Sequence, residues 1–162
     1  YAPAKSWAYV AERYLQHPWY DYTVRGIVDG DRLLAIVVWR PVKQENAHIL
    51  RIVDIIGATE WLEKAAALFV GELKASGAEY IDIMQLGIPD GVLANGGFVS
   101  PDWVEGLILP NYFAPFERRN VEISLAYKVF SPEKMPVYLY RADSDQDRPN
   151  MPAEVQSAPR GK

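Results

Sequence analysis

An aspartate inside a strand-like apolar segment is the residue of this sequence best suited to chemistry. Asp54 interrupts the run HILRIVDIIG, in which most other side chains are apolar. A buried carboxylate is unfavourable unless it is paired or faces a water-filled cleft, and burial raises its pKa. Such a carboxylate can serve as a general base for an amine or a hydroxyl group. The alternative is a structural aspartate that pairs with Arg40 or Arg25.

The loop that follows this segment is a second candidate site. It joins the apolar run to a helix-forming run, WLEKAAALFVGELKAS. The first N–H groups of a helix lack backbone partners and favour phosphate groups. The residues predicted to bind a nucleotide-like cofactor here are Ile55, Ile56, Gly57, Ala58 and Thr59. Because the loop has one glycine, no basic residue and the acidic Glu60, an ordinary strand-to-helix connection is the alternative.

A cluster of aromatic residues forms a third candidate site. The segment His17-Pro18-Trp19-Tyr20-Asp21-Tyr22 combines flat apolar rings with hydrogen-bonding edges, which suits the recognition of sugar rings. The predicted contacts to a sugar-like acceptor are His17, Trp19, Tyr20 and Arg40. Alternatively, Trp19 and Tyr20 close one end of the sheet. No metal is expected, because His17 and His48 are the only histidines and no ligand spacing links them.

Composition excludes several classes of function. The chain has 162 residues, 49% hydrophobic and 23% charged, which is the balance of one soluble globular domain. A net charge of −4 argues against a nucleic-acid partner. The absence of cysteine excludes disulfides, thiolate catalysis and thiolate metal sites. The apolar runs are much shorter than the roughly 20 residues that span a bilayer, so we expect no membrane span.

Residue patterns predict the elements that position these sites. We expect helices at 6–15, 61–75 and 88–94, and strands at 22–28, 32–42, 48–56, 78–84, 104–109, 121–130 and 137–141. Ser6 and Thr59 are the expected caps of the first two helices, and Gly77 ends the second. The strand–helix–strand passage predicts a right-handed crossover between parallel strands. The fold class is therefore α/β, a single domain with a mixed, mostly antiparallel sheet and one parallel βαβ crossover.

The order strand, helix, strand, short helix and then Gly97-Phe98 resembles the acyl-CoA-binding half of the GCN5-related N-acetyltransferase (GNAT) superfamily. The resemblance covers roughly residues 6–150 and matches the family order less its first strand. The segment from Arg13 to Pro18 is similar to the Arg-Tyr-x-x-His-Pro segment of GNAT-like proteins encoded with surface-polysaccharide pathways. The run DSDQDRPN at 143–150 resembles an ending of the same group, and we expect it to be ordered, with Arg148 pairing back onto the domain. A calcium loop is the alternative, although its glycine and distal glutamate are missing.

The resemblance implies transfer of an acyl group from acetyl-CoA or another acyl-CoA to an amino or hydroxyl group of a sugar-like acceptor. It implies that the pantetheine arm lies between residues 51–57 and 78–84, and that Phe98 packs under the cofactor. Leu93 stands where many family members carry a tyrosine that protonates the CoA thiolate. Tyr80 is the candidate replacement, with Tyr112 or water as alternatives, and Asp54 is the candidate base.

The same resemblance also allows a protein of a different class. This is a non-catalytic GNAT-like module that binds a ligand or a partner within a polysaccharide-biosynthesis system. In either case we expect a cytoplasmic domain of residues 1–150, followed by a disordered tail at 151–162. Because the chain begins Tyr1-Ala2-Pro3, we expect a fragment of a longer polypeptide, fused to or associated with a larger biosynthetic enzyme.

Overall fold

A computed structural model describes residues 2–44, 46–112, 117–130 and 136–148. Within these ranges, four strands form one sheet in the order β1-β2-β3-β4. They are β1 Thr23–Asp29, β2 Arg32–Gln44, β3 Ala47–Gly57 and β4 Ile81–Ile83. The first two pairings are antiparallel and the third is parallel. An α/β domain with a mixed sheet is confirmed, while the predicted tail at 151–162 lies outside the described residues.

The helices begin and end at local signals in the sequence. They are α1 Trp7–Val10, which continues as a π-helix over Ala11–Leu15, a 3-10 helix at Glu60–Lys64, α2 Ala66–Ser76 and α3 Asp90–Asn95. The Ser6 hydroxyl accepts a hydrogen bond from the N–H of Tyr9 at 3.2 Å, as its predicted capping role requires. Gly77 ends α2 in the left-handed conformation, with φ 69°. The predicted cap at Thr59 is wrong, because its side chain makes no capping hydrogen bond.

The second half of the chain differs most from prediction. The strand predicted at 78–84 is reduced to β4, and β5 Gln85–Leu86 pairs instead with β6 Leu139–Tyr140 in a separate antiparallel ladder. The strands predicted at 104–109 and 121–130 are wrong, since neither segment pairs with a neighbour in the described structure. Alternating apolar residues favour a strand because one face of it can be buried, but a strand forms only where another strand is available to pair with it.

The two faces of the sheet carry different kinds of interior. One face packs against α2, the preceding 3-10 helix and α3 through an apolar core that includes Val37, Trp39, Leu50, Ile52, Ile55, Leu62, Phe69 and Leu93. The opposite face packs against α1 through a smaller apolar cluster and also carries buried charges. Its apolar residues are Val10, Tyr14, Val38 and Val53. We call this second surface the polar face.

A β-bulge on β3 determines which residues reach the polar face. Val38 pairs with Asp54, whereas the next residue, Trp39, pairs with Ile52, so Val53 is an extra residue on β3. Side chains normally alternate between the faces of a strand, but the extra residue interrupts that alternation. Val53 and Asp54 consequently both lie on the side of α1, and Ile55 returns to the core beneath α2.

The end of β3 passes very close to β2. Gly57 has a φ of 110°, a backbone angle that residues with a side chain rarely adopt. A Cβ added there would also lie 2.5 Å from the Leu34 carbonyl oxygen. A glycine is therefore required at this strand end by both the backbone conformation and the available space.

We predict that Gly57→Ala lowers the free energy of unfolding by roughly 1–3 kcal/mol, the range of a strained backbone position. The measurement is urea denaturation followed by tryptophan fluorescence. Gly71→Ala is the control, because a Cβ on this residue of α2 meets no heavy atom within 4 Å. Alanine in a helix interior is favoured over glycine by about 1 kcal/mol, so this variant should gain stability. Equal effects of the two substitutions would contradict the steric account.

Candidate functional site

Asp54 is fully buried on the polar face and is enclosed by partners from the same chain. The Tyr14 hydroxyl donates a hydrogen bond to its Oδ2, and the Lys5 ammonium donates to its Oδ1, each at 2.5 Å. Lys5 also contacts the Asp143 carboxylate at 2.8 Å. Both oxygens of the candidate base are thus hydrogen-bonded within the protein. The structural alternative also differs in its partners, since Arg40 pairs with Asp147 and Arg25 lies 3.9 Å from Glu72.

Burial governs the protonation of this cluster. It raises the pKa of Asp54 above 3.8, against the opposing effects of the Lys5 charge and the Tyr14 hydrogen bond. Burial also disfavours the charged form of Lys5, but the carboxylates of Asp54 and Asp143 outweigh that effect and raise the pKa of Lys5 above 10.5. Both groups therefore bind a proton more tightly than they would in water, and the Asp54 carboxyl group is shielded from solvent.

Tyr80, the candidate acid, lies away from Asp54. Its hydroxyl is 2.9 Å from that of Tyr112, and burial raises its pKa, which makes it a weaker proton donor. Its carbonyl oxygen accepts from the N–H of Leu50, four residues before Asp54 on β3. At the usual rise of a strand this spacing is roughly 13 Å. The structure does not bring the two candidate catalytic residues together.

The loop after β3 already uses two of the N–H groups that would bind phosphate. The N–H of Ala58 donates to the Leu34 carbonyl at 3.1 Å, and that of Thr59 donates to the Glu60 carboxylate at 3.0 Å. A negative side chain thus lies at the start of the helix, where a phosphate would be repelled. Of the neighbouring candidates, Ile55 belongs to the core beneath α2, whereas Ile56 packs on the polar face.

Phe98 belongs to the same core as Ile55. Its ring contacts that of Phe69 on α2, with a centroid distance of 5.4 Å and an interplanar angle of 74°. Leu93 is buried in this core as well. These contacts account for both residues as apolar packing.

The gap between β3 and β4 is filled by the chain itself. The two strands pair only from Leu50 and Ile81 to Ile52 and Ile83. Beyond that point β5 continues from β4, and β6 both pairs with β5 and lies beside β3. β6 therefore occupies the space between the parting strands, which is where the resemblance implies a pantetheine arm.

The aromatic turn is built around His17. Its Nδ1 accepts hydrogen bonds from the N–H groups of Trp19 and Tyr20 at 3.2 and 3.0 Å, and burial together with Arg13 lowers its pKa. The imidazole stacks on the Tyr20 ring at 5.3 Å, and the Arg40 guanidinium lies 3.9 Å from the centre of the same ring. The four predicted acceptor-binding residues thus lie close to one another, with Tyr20 and Arg40 in direct contact.

Asp147 connects this turn to the C-terminal run. Its buried carboxylate accepts from Arg40 Nε at 2.8 Å and from the Tyr22 hydroxyl at 2.7 Å, and Arg13 lies 3.6 Å away. The Tyr20 hydroxyl donates to the Arg148 carbonyl at 3.2 Å. Among the described ion pairs, the guanidinium of Arg148 pairs only with the neighbouring Asp145. The side chains of this run that pair back onto the domain are instead those of Asp143, with Lys5, and Asp147, with Arg40.

A third charged cluster lies on β3 and β4. Arg51 binds the Asp82 carboxylate through Nε at 3.0 Å and through a terminal nitrogen at 2.5 Å, and Arg141 lies 3.7 Å from the same carboxylate. Burial and the Arg51 charge lower the pKa of Arg141 to about 10. Sequence reasoning missed Lys5, Asp82 and Asp147. The available signal was the presence of Arg40, Arg51 and Asp54 within otherwise apolar strands, because each of these charged residues requires a buried partner.

An open cleft of about 750 Å³ lies on the other side of β4. Its walls come from α2, β4 and the segment 96–109, and its apolar lining includes Phe69, Val70, Leu93, Phe98, Val99 and Ile108. β4 is the last strand of its sheet, and no other strand in the described ranges pairs with its outer edge. We call this region the β4 cleft.

Two further properties concern metals and membranes. In the described part of the chain, no three His, Cys, Asp or Glu side chains are grouped so as to hold a metal ion. None of the helices in these ranges combines the length and apolar character needed to cross a bilayer.

Comparisons with known proteins give little information. No family model matches the chain, and no curated protein matches it significantly. A similar solved structure is the crystal structure of wild-type TTHA1254 from Thermus thermophilus. It shares 14% identity over 69% of this chain and 72% of that chain, with a TM-score of 0.37. Similarity at this level supports no argument about fold family or function.

We predict that Asp54→Asn changes how stability depends on pH. The folded-state pKa of Asp54 is raised above 3.8, so the folded protein binds this proton more tightly than the unfolded chain does. The stability that comes from this difference is complete below pH 3.8 and is lost as pH rises through the folded-state pKa. The free energy of unfolding of the parent should therefore fall, relative to that of Asp54→Asn, as pH rises through this window. Urea denaturation at a series of pH values measures the difference. Asp31→Asn, in the exposed hairpin turn, is the control, and parallel curves for the parent and Asp54→Asn would contradict the assignment.

We also predict that Asp147→Asn lowers the free energy of unfolding by roughly 3–5 kcal/mol, because Arg40 would keep a buried charge without its counter-ion. Thermal and urea denaturation give the measurement. Asp145→Asn is the matched control in the same run. Its side chain is 66% exposed, so little change is expected. Similar losses for the two variants would show that Asp147 has no special role.

Proposed function

We propose that this domain is a GNAT-like module that binds a partner in the β4 cleft and does not transfer acyl groups. The observation that supports it is an apolar cleft of about 750 Å³ beside an unpaired strand edge. An exposed edge offers backbone N–H and C=O groups that can accept another strand. The apolar wall beside it suits the side chains of that strand.

The ligand best suited to this site is an extended peptide with apolar residues at alternate positions. Its backbone would pair with the outer edge of β4, and one row of side chains would contact Val70, Phe98 and Ile108. Main-chain hydrogen bonds supply affinity in such complexes, while pockets for alternate side chains supply specificity. A sugar or a nucleotide offers neither of these features.

Three observations on the opposite side of β4 disfavour acyl transfer. β6 lies in the gap that would hold pantetheine. Both oxygens of Asp54 accept hydrogen bonds from Lys5 and Tyr14. The Glu60 carboxylate accepts the N–H of Thr59, which would otherwise be available to a phosphate.

Acyl transfer to a sugar-like acceptor is the second candidate, favoured by the parting of β3 from β4 after Ile52 and Ile83. In this reaction the acceptor amine or hydroxyl, deprotonated by Asp54 or water, would attack the thioester carbonyl, and Tyr80 or water would protonate the CoA thiolate. It requires β6 to leave the gap and Lys5 to release Asp54. The contact between the aromatic turn and the C-terminal run joins the two segments that resemble polysaccharide-associated proteins, so cytoplasmic polysaccharide biosynthesis is the proposed setting for either candidate.

Calorimetry and thermal denaturation with acetyl-CoA separate the two candidates. A ligand that binds only the folded state must raise the midpoint of unfolding. We expect no heat of binding, no shift and no acetylation of amino sugars by the parent protein. Acetyl-CoA binding accompanied by turnover would overturn the proposal in favour of acyl transfer.

Glu60→Gln sharpens this test. If CoA phosphates bind at the loop after β3, removing the like charge should increase affinity for CoA, whereas the binding-module proposal expects no effect. Glu63→Gln, an exposed residue of the same 3-10 helix, is the matched control.

A further inference from the structure

We propose that the partner of the β4 cleft is a second copy of this chain, which contributes its segment 121–130 as an added strand. The inference rests on the proposed function, because it names the occupant of the same cleft. Each copy would donate its segment to the other, giving a closed two-fold dimer.

The donated segment has the pattern of a strand without the pairing of one. In VEISLAYKVF, apolar side chains recur at every second position, at Val121, Ile123, Leu125, Tyr127 and Val129. From Ile123 to Val129 these side chains are between 37% and 56% exposed, and none of the residues forms a strand. In an extended strand, side chains at every second position would lie on one side, and an exposed apolar row of that kind would form an interaction surface.

The segment begins at the wall of the cleft. Asn120 is fixed by two hydrogen bonds of 2.8 Å, one from the N–H of Leu109 to its Oδ1 and one from its Nδ2 to the Leu107 carbonyl. Leu107 and Leu109 both line the β4 cleft. The segment therefore leaves the cleft wall at a defined point and lies exposed, while the cleft beside it stays open.

Complementarity supports a second copy as the occupant. The cleft lacks a strand and an apolar covering, and the segment lacks a neighbouring strand and an apolar surface to cover. If the two copies exchange segments, both clefts and both segments become covered in one dimer. The dimer then buries twice the area that a single segment in a single cleft would bury. The edge of β4 and the row of side chains on the segment would then be removed from water together.

Sedimentation analysis across a range of protein concentrations tests the dimer. Leu125→Glu alters the segment, and Val70→Glu alters the cleft at a residue of α2 that is 48% exposed. Because each substitution occurs twice in the dimer, each should raise the dimer dissociation constant by roughly 10²- to 10⁴-fold, the equivalent of losing two buried apolar side chains. Leu15→Glu is the control, because Leu15 is equally exposed but lies at the end of the π-helix that continues α1.

Disulfide trapping identifies the surfaces, which is straightforward because the chain has no cysteine of its own. One tagged copy carries Val70→Cys, and a differently tagged copy carries Ile123→Cys, Leu125→Cys or Tyr127→Cys. We expect a cross-linked heterodimer with at least one of the three segment variants. In the corresponding double variants, cross-links within a single chain would show that the segment covers its own cleft and would overturn the exchange.

A monomer at every concentration would also overturn this inference, as would a dimer that persists unchanged in both Leu125→Glu and Val70→Glu. None of these results bears on acetyl-CoA binding and turnover, so failure of the exchange and failure of the proposed function are separate outcomes.

Discussion

The buried carboxylate of Asp147 is the charge on which the polar face depends. An ion removed from water requires a partner of opposite charge, because an uncompensated buried charge is unfavourable by several kcal/mol. Arg40 supplies that charge from the middle of β2, and Tyr22 supplies a further hydrogen bond. Since Arg40 also stacks on Tyr20, one ion pair joins the sheet, the aromatic turn and the end of the described chain.

The same requirement recurs along the polar face and restricts what this face can do. Asp82 is paired with Arg51 and Asp54 with Lys5, so each of the three buried acids in the described residues has a cationic partner from the same chain. Because these charged groups are buried and paired within the chain, they stabilise the fold and are not presented to a substrate. The face beneath α2 is apolar instead, and its unsatisfied feature is the outer edge of β4. This contrast is why we assign function to an edge and not to the charged interior.

The sequence was sufficient to predict the structure wherever that structure depends on residues close together in the chain. The helix start at Ser6, the helix end at Gly77 and the limits of β3 follow from local hydrogen bonding and from apolar patterns, and all were predicted within a residue or two. Long-range pairing was not predictable in the same way. Nothing near Asp54 indicates that Lys5 is its partner, and nothing in residues 121–130 indicates that they lack a neighbouring strand. The candidate cofactor site depended on a gap between strands, and β6, which fills it, comes from more than fifty residues further along the chain.

The bulge at Val53 allows β3 to lose one residue without changing the orientation of the side chains around it. Val53 and Asp54 lie on the same side of the sheet, so without Val53 the Asp54 side chain would still point towards Lys5 and Tyr14, and Ile55 would still belong to the core beneath α2. Losing a residue between Asp54 and Gly57 has the opposite effect, because Gly57 is held against Leu34 and Asp54 would then turn towards the apolar core. Related chains that carry an acid in this strand can therefore lack the residue at Val53, but they should keep the number of residues between Asp54 and Gly57 constant.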